Sequence, residues 1–310
     1  MTTDESCALV VSWGEPAGTD LDGIADGPPV QYSILPHTQR GQIDCYIGAY
    51  CENLESQDAF LVVREPGRDI LAVADGVTPT PRQVARRALV PDDAAFAART
   101  VLRMVERFRH LSLEKAFEQA NNALLDIDVH RDTTPRDRPQ SAAAVAEITY
   151  NDSGAVQRVD ICRAADCDVW VHCGGSWSLV TSDDMVRTPV RDQLDRWDAD
   201  HRAATLEERL DFEATLPLDD PASWNCTALG RFATAKVCTT TLAEDQLDFA
   251  DILVVTDGAR LRCNDWTCAG SPDAWIGQLR TWEHRNLPGS RPHSDVAMLW
   301  LRRPEVAAAH

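Results

Sequence analysis

The chain has 310 residues, a formal net charge of −19 and a hydrophobic content of 44%. That length admits one large domain or two ordinary ones, with enough apolar residues for a sizeable core. The excess of 49 acidic over 30 basic residues disfavours nucleic-acid binding, which needs concentrated Lys and Arg against phosphate. Excess acid serves solubility first; a local carboxylate cluster holding divalent metal is the second reading. No run of roughly 18 apolar residues offers a membrane span. The start, MTTDESCALVVSWGEP, places acids before a short apolar run, so no secretory signal is expected and the cytoplasm is the default address. Ten cysteines occur without a CxxC pair, and the set Cys162, Cys167, His172, Cys173 is too loosely spaced for a usual zinc module. They read as small apolar core residues.

In chain order, residues 1–30 read as a lead-in, with the Gly-, Pro- and Asp-rich stretch 14–29 as a loop. QYSIL (31–35) reads as a first strand, followed by a less clear segment. DAFLVV (58–63), a turn at EPGRD, and DILAVAD (69–75) form a hairpin. Two amphipathic helices follow. The first carries Phe96, Thr100, Val101, Met104, Val105 and Phe108 on one face. The second carries Leu113, Ala116, Phe117, Ala120, Leu124 and Ile127, with Ser112 as N-cap. Strands then dominate: 141–150, 155–165, 168–173 and 176–181, with turns at NDSG and CGG. Residues 183–233 read as short helices plus a surface insertion, in which Trp197 and Trp224 are taken as core anchors. Strands return at 233–240 and 249–257, a helix is expected over 271–284, and 296–302 is the last strand. Residues 304–310 are a tail. The order of strands and helices is an α+β pattern, expected as a single domain over 31–303.

Two stretches share a motif. LAVADG ends an apolar run at Asp75 and Gly76, and DILVVTDG ends another at Asp257 and Gly258. Asp-Gly after a strand is also a common turn. Two such corners together, however, would offer oxygen ligands to hard divalent cations. Two metals about 4 Å apart bind and deprotonate a water between them, which can attack a phosphoryl group in line.

The chain resembles the metal-dependent 2C-type protein phosphatases, especially divergent bacterial members, over about residues 32–303. The resemblance rests on SQDAF (56–60), LAVADG, SAAAVAEI, VDICRAADCDVWVHCGGSWSLVTSD, DILVVTDG and HSDVAMLWLRR in family order, with two helices in the expected gap. It implies a four-layer αββα sandwich of two antiparallel sheets flanked by helices, with two Mn²⁺ or Mg²⁺ ions at one end. By position, Asp75 bridges the metals, Gly76 offers its carbonyl, Asp257 binds one metal, and Asp58 orients water. Asp166 matches the Asp of the Gly-Asp-Ser corner near a third metal. A one-residue shift in the last motif assigns its metal position to Asp295 rather than Ser294. His293, beside Asp295, is the candidate general acid ahead of His37 and His284.

Several residues depart from the family pattern. Gln57 replaces a metal-binding Glu, Asn53 replaces the phosphate-gripping Arg, Ala165 replaces Gly at the corner, and Leu261 replaces an Asp of the third site. Arg40 and Arg64 are the candidates to replace the missing Arg. The expected function is a phosphomonoester hydrolase that acts on phosphoserine or phosphothreonine in proteins. The alternatives are a small phosphorylated metabolite as substrate, or a pseudophosphatase that acts as a binding module. The oligomeric state is open.

Overall fold

The computed structural model describes residues 9–12, 30–38, 40–48, 56–77, 92–127, 138–181, 189–201, 203–257 and 295–303. Twelve strands are described: β1 (Leu9–Ser12), β2 (Val30–Thr38), β3 (Gly41–Gly48), β4 (Asp58–Glu65), β5 (Arg68–Gly76), β6 (Ser141–Tyr150), β7 (Val156–Ala164), β8 (Asp168–Cys173), β9 (Ser176–Leu179), β10 (Cys238–Thr241), β11 (Asp251–Val255) and β12 (Val296–Arg302). The described helices are α1 (Asp92–Arg107), α2 (Leu113–Ile127), α3 (Pro189–Asp200) and α4 (Leu206–Glu213). The strands make two six-stranded sheets, ordered β1-β4-β5-β6-β7-β10 and β2-β3-β12-β11-β8-β9. Every pairing in both is antiparallel.

The central strands of the first sheet read as continuous apolar runs because both faces are covered. Phe60, Val62, Leu71, Val73, Ala144 and Ile148 face the second sheet and pack with Ile43, Val169, Ile252, Val254 and Leu299. The alternate residues Ala59, Leu61, Ile70, Ala72, Ala74 and Val145 pack under α1 and α2. The architecture is the expected α+β sandwich of two antiparallel sheets with helices. The helix expected over 271–284 lies outside the described residues. No helix among the described residues is long and apolar enough to cross a membrane.

Three details differ from the sequence expectation. The lead-in expected over 1–30 contributes a strand, β1, paired with β4. Phe96 is 43% exposed, whereas Ala94, Ala97, Ala98 and Leu102 face the core. Small residues on α1 and on the sheet beneath it bring helix and sheet close together, leaving no room there for a phenyl ring. The strand expected over 233–240 is confined to β10. Within 189–224, Val190, Leu194 and Leu218 form a separate small core with Phe212, Leu216 and Trp224 packed against it. Trp197 stacks on Phe212 at 5.2 Å between ring centroids. Residues after 225 dock on the main body, where Leu229 bridges to Ser141 and the Asn121 amide donates to the Phe232 carbonyl.

Gly76 shows why the residue after Asp75 lacks a side chain. It is no turn: it ends β5 in register with Ser141, and its N–H donates to the Gln57 carbonyl at 3.2 Å. A Cβ there would stand 2.1 Å from the Ala94 carbonyl oxygen. Gly76→Ala therefore forces α1 away from the sheet. It is expected to lower unfolding free energy by about 2–3 kcal/mol in urea denaturation; an unchanged midpoint would contradict this close approach.

Candidate functional site

The β4–β5 hairpin sets the site. Its register pairs Asp58 directly with Asp75 at one end and Arg64 with Asp69 at the other. Directly opposed like charges repel, so two carboxylates paired across a ladder need something to offset them. Asp58 is 2% exposed. Its Oδ2 accepts the Thr256 hydroxyl at 2.6 Å, and its N–H donates to the Ser56 hydroxyl at 3.1 Å. Thr256 is fixed in turn by β12: its hydroxyl accepts the Ala297 N–H at 2.9 Å.

The other sequence candidates converge electrostatically on this pair. Asp75 is raised well above the ordinary carboxylate range, first by burial, then by the charges of Asp58, Asp257 and Asp166. Asp58 is pushed up to about 8, first by burial, with Asp295 and Asp257 adding to the rise against hydrogen bonds from Asp75 and Thr256. The Asp58 and Asp75 carboxyls lie within hydrogen-bonding reach of each other. Asp295 is buried just before β12, where its Oδ2 accepts the Gln57 N–H at 2.5 Å. Asp166, Asp257 and Asp295 thus lie near enough for their charges to act on the Asp58–Asp75 pair. His293, Ser294, Gly258, Leu261, Asn53 and His284 lie outside the described residues, as does the side chain of His37.

Asp166 sits on a built corner. Ala165 has a φ of 58°, a left-handed conformation that costs a residue with a Cβ roughly 1–2 kcal/mol. Fully buried Arg163 braces it, donating to the Ala165 carbonyl at 2.6 Å and to the Thr181 carbonyl at 2.9 Å. Its Nη1 lies 3.3 Å from buried Asp168. Arg163, Thr256 and Ser56 were missed by sequence reasoning. A lone Arg in a strand gives no signal of its own, although Thr256 stands directly before the Asp-Gly motif.

Arg40 and Arg64 do not replace the missing phosphate-gripping Arg. Arg40 lies 3.2 Å and Arg64 3.8 Å from Asp69, and Tyr150 donates to the same carboxylate at 3.0 Å. Asp69 is six positions from Asp75 along β5, roughly 20 Å at strand rise. This cluster ties the turn before β3 to the hairpin, with Arg64 donating to the Gly41 carbonyl at 3.0 Å.

An all-carboxylate donor set suits a hard divalent cation, and a cation would offset both the burial and the repulsion that raise these pKa values. Among the described residues, no three His, Cys, Asp or Glu side chains stand close enough together to hold an ion as they lie. Of the cysteines, Cys45, Cys162, Cys167 and Cys226 are buried, as small core residues.

No known family profile matches this chain, and no curated protein does. Solved structures do match. A serine/threonine phosphatase from Staphylococcus aureus is 13% identical at a TM-score of 0.52, over 93% of this chain and 98% of its own. The S. agalactiae serine/threonine phosphatase is 14% identical at 0.51, over 88% and 100%. RsbX, solved in complex with magnesium, is 14% identical at 0.51, over 88% and 100%. The fold is that of the bacterial 2C-type phosphatases, and identities this low show the fold alone.

The raised carboxyls give a pH signature without metal. Asp58 binds a proton more tightly folded than unfolded, so its contribution is full below about pH 4 and is lost as pH rises toward about 8. Protein in chelator is expected to melt higher at pH 5 than at pH 8, and Asp58→Asn is expected to flatten that difference. A wild-type melting temperature rising over the same interval would contradict the buried pair.

Proposed function

We propose that this protein is a metal-dependent phosphomonoester hydrolase that removes phosphate from phosphoserine or phosphothreonine in proteins. The observation that carries this reading is the Asp58–Asp75 pair, set in register at the end of a hairpin within a phosphatase fold, with the charges of three further carboxylates acting on it. Asp75, Asp257 and Asp295 are the residues to hold two Mn²⁺ or Mg²⁺ ions, with the Gly76 carbonyl adding an oxygen. Asp166 is placed for a third. Bound ions supply an activated water and neutralise phosphoryl charge.

The chain's own residues then have defined tasks. Asp58, held by Thr256 and by its Ser56 bond, keeps one fixed carboxylate orientation for a water proton. Arg163 and Thr181 hold the corner that aims Asp166. The Gln57 N–H fixes Asp295, so Gln57 serves the site through its backbone where its amide replaces a charged ligand. His293 is the candidate proton donor to the leaving group. The proposed substrate is a phosphorylated protein. A phosphorylated metabolite is the nearest alternative, since no Arg among those named by the sequence reaches the site. A pseudophosphatase is favoured by one observation: one Asp295 oxygen is engaged by a backbone amide.

Phosphate release from p-nitrophenyl phosphate, a phosphothreonine peptide and a panel of phosphorylated metabolites, with Mn²⁺, Mg²⁺ or chelator, tests this reading. Turnover is expected with metal on the first two substrates and is expected to fall at least 100-fold in Asp75→Ala. No turnover from folded protein with either metal would overturn the enzyme reading, and preference for a metabolite would overturn the substrate class.

A further inference from the structure

A second reactive cluster stands behind the Asp166 corner. Cys226 is buried; its Sγ accepts the Ala165 N–H at 3.2 Å and lies 3.4 Å from the Arg163 carbonyl oxygen. Cys238 is opposite that same Arg163 in the β7–β10 register, and it is only partly buried. The Thr227 N–H donates to the Lys236 carbonyl at 3.0 Å, closing the intervening loop and bringing its two ends together. The two thiols are hydrogen-bonded to each other, and neither is in a disulfide.

We propose that Cys226 and Cys238 are a redox modification site, a thiol pair that peroxide converts to a reversible disulfide and that thereby controls the Asp166 corner. Cys238 has the properties of the attacking thiol. It is reachable from solvent, and its pKa is lowered to about 7, first by the hydrogen bond from Cys226 and further by the Arg163 charge, against the effect of burial. A thiol so placed is substantially thiolate at neutral pH. Cys226, pushed up by the same hydrogen bond and by burial, is the resolving thiol.

The chemistry balances. The Cys238 thiolate attacks a hydrogen peroxide oxygen; the S–O bond forms, the O–O bond breaks, and hydroxide leaves to become water after protonation. The Cys226 sulfur then attacks the sulfenic acid. The S–S bond forms, the S–O bond breaks, and the thiol proton leaves with hydroxide as a second water. Two thiols are oxidised by two electrons and one peroxide is reduced to two waters.

A disulfide of about 2.05 Å draws the Cys226 sulfur toward Cys238 and away from the Ala165 N–H. That N–H belongs to the residue held at a φ of 58°, so oxidation loosens the corner that carries Asp166. This consequence rests on the proposed function; formation of the disulfide does not.

Full-length protein is treated with hydrogen peroxide, alkylated and digested with trypsin, which cuts after Arg231 and Lys236 and so separates the two cysteines. The expected result is a cross-linked peptide joining Cys226 to Cys238, lost with dithiothreitol and lacking in Cys238→Ser. Separate alkylation of both cysteines after peroxide would overturn the site, whatever the protein's activity. In parallel, metal-dependent turnover of p-nitrophenyl phosphate is expected to fall at least fivefold on oxidation and to recover with dithiothreitol, with Cys238→Ser and Cys226→Ala both insensitive. A disulfide that forms while turnover stays constant would overturn the control of the corner.

Discussion

Two carboxylates facing each other across a β-ladder are the constraint on which the site end of this protein depends. Asp58 and Asp75 are paired in register, the first buried and the second half-buried, and both are raised in pKa, first by desolvation and then by their neighbours. Such a pair is costly as two anions. A shared proton or a bound cation each offsets the cost, and the further carboxylates of Asp257, Asp166 and Asp295 favour the cation. The elements around the pair answer the same constraint. Thr256 fixes Asp58 from the second sheet, and Gly76 lets α1 close over the end of β5.

Charge is segregated along the hairpin. One end gathers acid; the other buries Asp69 between Arg40 and Arg64. The second cluster pairs its buried carboxylate with two arginines and ties the two sheets together through the Arg64 bond to the Gly41 carbonyl. The first brings like charges together without a cation among them, which is how a binding site differs from a structural ion pair. Arg163 with Asp168 belongs to the structural class but lies beside the site, and it holds a non-glycine residue in a conformation normally left to glycine.

Much of this was legible in the sequence. The hairpin, both long helices and the run of strands from 141 to 179 follow from apolar runs broken by turn residues. Asp75 and Asp257 were visible because each ends an apolar run abruptly. Asp295 was reached through the order of motifs, not through its own surroundings. What stayed hidden depends on close approach in space. Phe96 continues the helical stripe in sequence, yet the alanine-rich contact beneath α1 excludes it. Arg64 lies six residues from Asp58 in sequence and on the same strand, so nothing local shows that it points to a different cluster. β1 was unreadable because a four-residue apolar run is short and its pairing partner, β4, is about fifty residues away.

The carboxylate cluster is proposed to hold divalent cation. Titrating Mn²⁺ into the protein while following the free-ion signal by electron paramagnetic resonance tests it most directly, with Asp75→Asn beside the wild type. The account predicts saturable loss of free Mn²⁺ signal at about two ions per chain, with at least one ion lost in the variant. A wild-type titration that follows buffer alone would contradict it.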